Sequence, residues 1–223
     1  MSETFIVIGA GQAGLQICDS LRKEGFAGEL LLFGDEALAP YQRPPLSKQY
    51  LEGALERGRL PFRPSTFFDK NDIRLHLEEA VTGVNLADKF IQTDSHRYRF
   101  DKLAFATGTR VRRLPIPGGE LPGIHYLRTV EDADGIHLDL ANANTLIAIG
   151  GGFIGLEIAA VARKQDIAVT VVEAQERLME RAVSPRISDF FATLHEGEGV
   201  SLLLGATVAE ITRNEHGFQV SLT

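Results

Sequence analysis

The chain has 223 residues, 44% hydrophobic and 24% charged, with a formal net charge of −7. That length suits one large domain or two small ones, and the composition is ordinary for a globular protein. The acidic balance speaks against broad nucleic-acid binding, and no run approaches the ~18 consecutive apolar residues of a membrane span. A single cysteine excludes an intramolecular disulfide and fits a cytoplasmic protein.

Residues 1–4 lead straight into the first predicted strand, with no room for a signal peptide. That strand, Phe5-Ile6-Val7-Ile8, is an apolar, partly β-branched run of the kind buried in parallel sheets. Gly9, Gly11 and Gly14 follow at G-x-G-x-x-G spacing. The first permits a tight turn, the second lets backbone approach a pyrophosphate, and the third lets a helix pack close to the sheet. The helix, predicted from Gln12 to about Lys23, aims its positive end and unsatisfied N–H groups at phosphates. A second strand, Leu30–Phe33, runs into Gly34-Asp35-Glu36. Such motifs carry a ribose-binding acid about twenty residues beyond the last glycine. Residues 1–36 therefore read as a βαβ adenine-dinucleotide module.

Pro40-Tyr41-Gln42-Arg43-Pro44-Pro45-Leu46-Ser47-Lys48 is next, a stiff loop leading to a short helix expected near Ser47–Leu51. Such a loop suits the wall of a cofactor site, with Lys48 beside the ring; a structural turn with a solvated lysine explains it equally well. Arg57, Arg59, Arg63 and Lys70 read first as a solvated face. Strand-like pieces at Ile73–Leu77, Ala80–Asn85, Lys89–Thr93 and Tyr98–Phe100 predict an antiparallel meander. The strand Lys102–Ala106 ends in Thr107-Gly108, where backbone can again approach a ligand. Residues 110–127, with three prolines and Pro117-Gly118-Gly119, read as a connection. A helix is predicted over Val130–Leu140, capped at Thr129.

The opening pattern then repeats. Thr145–Ile149 is a buried strand, Gly150, Gly152 and Gly155 restate the fingerprint, and the next helix carries Ile154, Ile158, Val161 and Ala162 on one face. Ala168–Val172 ends in Glu173, again about twenty residues beyond the glycines. A helix over Ser184–Glu196 and strands at Val200–Leu204, Thr207–Thr212 and Phe218–Leu222 complete the chain. The stop at Thr223, inside a strand, suggests a fragment. The fold class is α/β: two Rossmann-like modules with parallel sheets and antiparallel meander crossovers, divided as 1–110 and 111–223.

Two such modules around a meander resemble the FAD-dependent pyridine nucleotide oxidoreductases. The Arg43-Pro44-Pro45-Leu46-Ser47-Lys48 core, Ala106-Thr107-Gly108, Tyr126-Leu127-Arg128-Thr129 and Gly150 through Glu157 look like the NADH:ferredoxin reductases. Those enzymes serve cytochrome P450 and ring-hydroxylating dioxygenase systems. The resemblance implies that residues 1–110 bind FAD through Gly9, Gly11, Ala13, Gly14, Asp35 and Glu36, with Ala106, Thr107 and Gly108 at a strand end. It implies that Arg43, Lys48, Val81 and Arg128 line the flavin. Residues 111–223 would bind NADH through Gly150, Gly152, Phe153, Ile154, Gly155, Glu157 and Glu173. Hydride would pass from NADH to FAD, and single electrons to a ferredoxin-type iron–sulfur partner. A Lys48–Glu157 ion pair is expected at the flavin–nicotinamide junction.

Alternatives stand beside this reading. A rubredoxin reductase, an NADH-sensing regulatory flavoprotein of the apoptosis-inducing-factor type and a bare nucleotide-binding module share the same motifs. A disulfide reductase needs a cysteine pair, and Cys18 on the first helix reads as core. The six histidines show no ligand spacing, and no metal is expected. Glu173 favours NADH over NADPH, with Arg177 as counter-evidence. Arg57, Arg59 and Arg63 form the densest basic cluster for an acidic partner to dock on.

Overall fold

The computed structural model describes residues 3–215 and 217–223. Residues 1 and 2 of the expected leaderless start, and His216, lie outside them. The chain forms two compact units: Met1–Gln42 with Gly58–Arg110, and Arg43–Arg57 with Val111–Thr223.

The first unit holds β1 (Thr4–Ile8), α1 (Gln12–Lys23), β2 (Glu29–Phe33), α2 (Thr66–Lys70), β3 (Ile73–His76), β4 (Val81–Asn85), β5 (Phe90–Thr93), β6 (Arg97–Arg99) and β7 (Lys102–Phe105). Its main sheet is parallel, in the order β3-β2-β1-β7. Alternate side chains of its strands point to opposite faces, and both faces are covered, which is why β1 and β2 read as unbroken apolar runs. Val7, Leu30 and Leu32 meet Leu15 and Cys18 of α1, with Phe68 and Ile73. Ile6, Ile8, Leu31 and Phe33 meet Ile91 and Phe100 beside the antiparallel sheet β4-β5-β6. Burial pushes the Cys18 thiol up to about 12, so it is a core side chain.

The expected meander included Ile73–Leu77. Instead, Ile73–His76 pairs in parallel with β2 as the sheet's edge strand, and only the three later pieces are antiparallel. Isolated β-branched segments carry no mark of their partner, so sequence order suggested the wrong one.

The second unit holds α3 (Val130–Leu140), β8 (Thr145–Ile149), α4 (Phe153–Lys164), β9 (Ala168–Glu173), α5 (Pro185–Gly197), β10 (Val200–Leu204) and the antiparallel pair β11 (Val208–Asn214) and β12 (Gly217–Leu222). Its parallel sheet runs β10-β9-β8. Val169 and Val171 pack with Leu156, Ala159 and Ala162 of α4 and with Ile136 and Leu140 of α3. Thr129 caps α3 reciprocally: its hydroxyl accepts the Asp132 N–H, and the Asp132 carboxylate accepts the Thr129 N–H at 2.7 Å. A capping box of this kind satisfies two orphan donors and stabilises a helix start by roughly 1 kcal/mol.

Three expectations need correction here. Ile154, read as sharing a face with Ile158, Val161 and Ala162, is 52% exposed, because the residues α4 buries are Leu156, Ala159, Val161 and Ala162. The helix expected near Ser47–Leu51 is instead a 3-10 turn at Pro44–Ser47, ended where Lys48 leaves helical backbone at φ −129° and ψ −117°. Residues 43–57, assigned to the first domain, cluster with the second unit. Leu51 is in that unit's core, Tyr50 donates to Asp134, and Arg57 pairs with Glu131 and Asp134.

Candidate dinucleotide-binding sites

Each fingerprint is a loop between the first strand of a βαβ unit (β1 or β8) and its helix (α1 or α4), and the two share a geometry. The N–H of Gly9 donates to the Phe33 carbonyl at 2.8 Å, and that of Gly150 to the Val172 carbonyl at 2.7 Å. Their φ values, 111° and 109°, lie where side chains are strained, so only glycine turns the chain there easily. A Cβ on Gly14 would stand 2.0 Å from the Gly9 oxygen, and one on Gly155 2.2 Å from the Gly150 oxygen. The third glycine of each set thus permits the helix to approach its strand.

The middle glycines behave differently. A Cβ on Gly11 or Gly152 would meet nothing within 4 Å, and both have ordinary extended backbone. Each is the N-cap of its helix, with no side-chain cap and no acidic residue in the first turn. The hydrogen bonds accepted by the two N-cap carbonyls come from Leu15 and Leu156. The first-turn N–H groups before them therefore have no acceptor within the helix and stand at the positive end of its dipole. Space for a group against bare backbone donors fits a pyrophosphate. In the first unit this loop lies between β1 and β7, where strand order reverses, the place where open α/β sheets bind ligands. The Ala106 N–H donates to Ile8 at 2.7 Å, and Gly9 lies against Ala106 so closely that a Cβ there would be 2.2 Å from its oxygen. Ala106, Thr107 and Gly108 thus border the same crevice.

The acids after the second strands are not equivalent. Phe33 and Val172 hold matching positions, so Glu173 corresponds to Gly34, and Asp35 comes one residue later. Glu173 accepts from the N–H of Gly151 at 2.6 Å and of Gln175 at 2.8 Å. It therefore braces its own glycine loop. Where Glu173 has a side chain, Gly151 opposite has none: a Cβ there would be 3.2 Å from that of Glu173. In the first unit the bulk is reversed, and a Cβ on Gly34 would strike that of Ala10 at 2.5 Å. Asp35 is exposed and its carboxylate has no protein partner among the described residues, whereas Glu36 accepts from the Tyr41 hydroxyl at 2.6 Å.

In the second unit Lys48 and Glu157 form the expected ion pair, Nζ to Oε1 2.7 Å. The pair is partly open to solvent, its side chains 49% and 28% exposed. Ser47 also donates to Glu157, through Oε2. Arg43 donates to the Arg128 carbonyl at 2.7 Å, which ties the proline loop to the segment preceding α3.

Residues 3–223 match the pyridine nucleotide-disulphide oxidoreductase family. The chain belongs to that family. Within it, this member is 44% identical over 209 residues to rhodocoxin reductase of Rhodococcus erythropolis, covering 93% of this chain and 49% of that protein. It is 37% identical over 214 residues to rubredoxin-NAD(+) reductase of Ectopseudomonas oleovorans, covering 95% and 56%. The crystal structure of a ferredoxin reductase from Rhodopseudomonas palustris superposes with a TM-score of 0.95 at 36% identity, covering 99% of this chain and 55% of that one. The chain thus spans about half the length of the relatives it matches.

In this oxidoreductase-family chain, Arg177, the counter-evidence to NADH, has its guanidinium engaged by its own loop. Its guanidinium donates to the carbonyls of Val183 and Glu180 and to the Ser188 hydroxyl, at 2.8–2.9 Å, so it pins the loop before α5. The basic cluster is partly neutralised by neighbouring carboxylates. Arg57 is ion-paired, and Arg63 lies 3.7 Å from Asp19 and over the Phe67 ring; among the described residues Arg59 has no such carboxylate. Val81 opens β4 and packs at the edge of the Ile6–Ile91 core. Phe153 and Ile154, at the first turn of α4, are 54% and 52% exposed, as side chains beside an open ligand site are. Sequence reasoning missed Ser47, although it adjoins Lys48. It also missed Glu79, which no motif marks.

Proposed function

We propose that the protein is a flavoprotein oxidoreductase: NADH is the donor, FAD the bound cofactor, and a ferredoxin-type iron–sulfur protein the one-electron acceptor. In this reading residues 1–110 hold the first dinucleotide and residues 111–223 the second, with residues 43–57 carried on the second unit. One observation carries it: two fingerprints whose middle glycines face open space beside uncapped helix starts. Gly11, Ala13 and Gly14 present backbone N–H groups to the pyrophosphate of FAD. Gly152, Phe153, Ile154 and Gly155 do the same for NADH. Asp35 is the carboxylate available for the FAD ribose; Glu173 receives the NADH ribose on the lone pairs its two backbone contacts leave. FAD supplies the two-electron to one-electron conversion, and the protein supplies orientation and electrostatics. Lys48, held by Glu157, keeps a cation at the reacting end, with Arg43 and Arg128 fixing its loop. Cys18 has no second cysteine to work with in this chain and is buried, so electrons have no dithiol relay here. Within these 223 residues there is no cysteine pair for disulfide reduction to use. The reducing compartment such a lone cysteine suits is the cytoplasm.

The names of the relatives support both the nicotinamide donor and the small redox-protein acceptor, with rubredoxin as the second acceptor to test. The deciding experiment uses the full-length protein. It should purify yellow, bleach with NADH, and reduce a ferredoxin faster than rubredoxin. Colourless protein that binds no FAD, or bleaching with no electron passed to either acceptor, refutes the reading.

A further inference from the structure

Behind the Asp35 loop, and apart from the glycines, lies a polar cluster centred on Glu79. Its Oε1 accepts from the hydroxyls of Thr93 and Tyr98, each at 2.9 Å, and its Oε2 lies 3.0 Å from Nδ1 of His76. The His96 ring nitrogen lies 3.9 Å away. Burial raises the Glu79 carboxyl, but hydrogen bonds from Tyr98, Thr93 and His76 outweigh it and hold the group below its ordinary range. These donors come from β3, β5 and β6, so a single carboxylate ties the antiparallel sheet to the edge of the parallel one.

The same segment grips the acid loop by its backbone. The Gly34 N–H donates to the His76 carbonyl at 2.8 Å, the Glu79 N–H to the Gly34 carbonyl at 2.9 Å, and the Glu78 N–H to the Glu36 carbonyl at 3.1 Å. Glu78 adopts a φ of 52°, a left-handed conformation that costs a non-glycine residue energy and persists where neighbours over-determine it. The rings repeat the grip: His76 stacks on Phe33 at 4.4 Å and Tyr98 meets Phe33 edge-on at 4.9 Å. Thus Asp35 has no side-chain partner among the described residues, while the backbone on both sides of it is held by residues 76–79.

We propose that Glu79 is a positioning residue for the adenosine end of the dinucleotide bound at the first fingerprint, acting through the Gly34–Glu36 loop to aim Asp35 at the ribose. This rests on the reading that the first unit holds FAD. Glu79 touches no ligand atom. Its role is to prevent the loop from sampling orientations in which Asp35 points away, so its loss reduces the fraction of binding-competent protein.

The test is a double-mutant cycle on FAD affinity, read by flavin fluorescence, with Glu79→Ala, Asp35→Ala and the pair. Amide hydrogen exchange of residues 34–37 without ligand is the second readout. Charge-assisted hydrogen bonds of this kind are worth roughly a factor of ten or more in binding. Glu79→Ala should weaken FAD about tenfold, accelerate exchange in the loop, and add nothing once Asp35 is already alanine. Glu79→Gln retains an acceptor for the two hydroxyls and should recover most of the affinity; it also serves if the alanine variant folds poorly. Losses that simply add, or unchanged loop exchange, overturn the positioning role while leaving the FAD reading intact. Failure of the unaltered protein to bind FAD overturns that reading, and this proposal with it.

Discussion

Gly11 and Gly14 stand three residues apart in one motif, yet the structure gives them opposite burdens, and alanine at each should separate stability from binding. At Gly14 a methyl group would lie 2.0 Å from a backbone oxygen and 3.1 Å from Leu32. Since that oxygen belongs to the Gly9 turn, helix α1 must move away from its sheet; overpacking of this kind costs about 1–3 kcal/mol. At Gly11 the methyl enters open space and φ is −95°. The remaining cost is that of alanine as an N-cap, roughly 0.5–1 kcal/mol. Each kcal/mol is worth about 2–4 °C in melting temperature for a chain of this size. Gly14→Ala should therefore melt several degrees below Gly11→Ala, read by circular dichroism. FAD affinity should rank the other way for its cause: the Gly11 methyl occupies the space the pyrophosphate needs, and titration should show a loss of at least about tenfold in a well-folded protein. Gly11→Ala binding FAD normally, or Gly14→Ala melting no lower than Gly11→Ala, would refute the reasoning.

Three further outcomes are expected. The Lys48–Glu157 pair is too exposed to carry a buried pair's worth; a Lys48→Met, Glu157→Gln cycle in urea should give a coupling of about 1 kcal/mol or less, and a value near 3 kcal/mol would contradict it. Glu173→Ala should loosen the Gly151 turn and erode preference for NADH over NADPH, whereas Arg177→Ala should lower the melting temperature without altering that preference; an altered NADPH/NADH ratio in the arginine variant would show it faces coenzyme after all. His195 is 8% exposed, and burial lowers its imidazole below the ordinary range. Unfolded protein therefore binds this proton more readily, so the stabilising term is present above the ordinary imidazole range and is lost as pH falls from that range through the lowered folded value. His195→Gln should flatten that acid-side loss of stability, and an unchanged slope would assign it to other groups.

The parts of this molecule that sequence reveals are those in which neighbouring residues do the work together. Helix α1 begins at Gln12 and ends at Lys23 as expected, because glycines fix its start; Thr129 and Asp132 specify the start of α3 in the same local way. The Lys48–Glu157 pair joins residues far apart in sequence, and it was legible only because a family pattern linked them. Partnerships without such a pattern stayed hidden. Ile73–His76 shows nothing in its own residues of the strand it pairs with. Glu79 is 43–45 residues from the loop it holds. The three arginines looked like one basic patch because the carboxylates that pair with two of them, Asp19 with Arg63 and Glu131 and Asp134 with Arg57, are remote in the chain. Proline stiffness was visible at Pro44-Pro45, but the unit to which that segment adheres was decided by contacts of Leu51, Tyr50 and Arg57.

The reversed bulk in the two glycine loops has a practical side. Ala10 faces a bare Gly34, and Gly151 faces the stem of Glu173, so each loop is fitted to its own opposite number. Anyone grafting the coenzyme preference of one module onto the other has to exchange these residues as couples. Glutamate at position 34 alone would collide with Ala10, and the matching glycine has to be installed at position 10 in the same step. The two halves of this chain repeat a motif without sharing interchangeable parts.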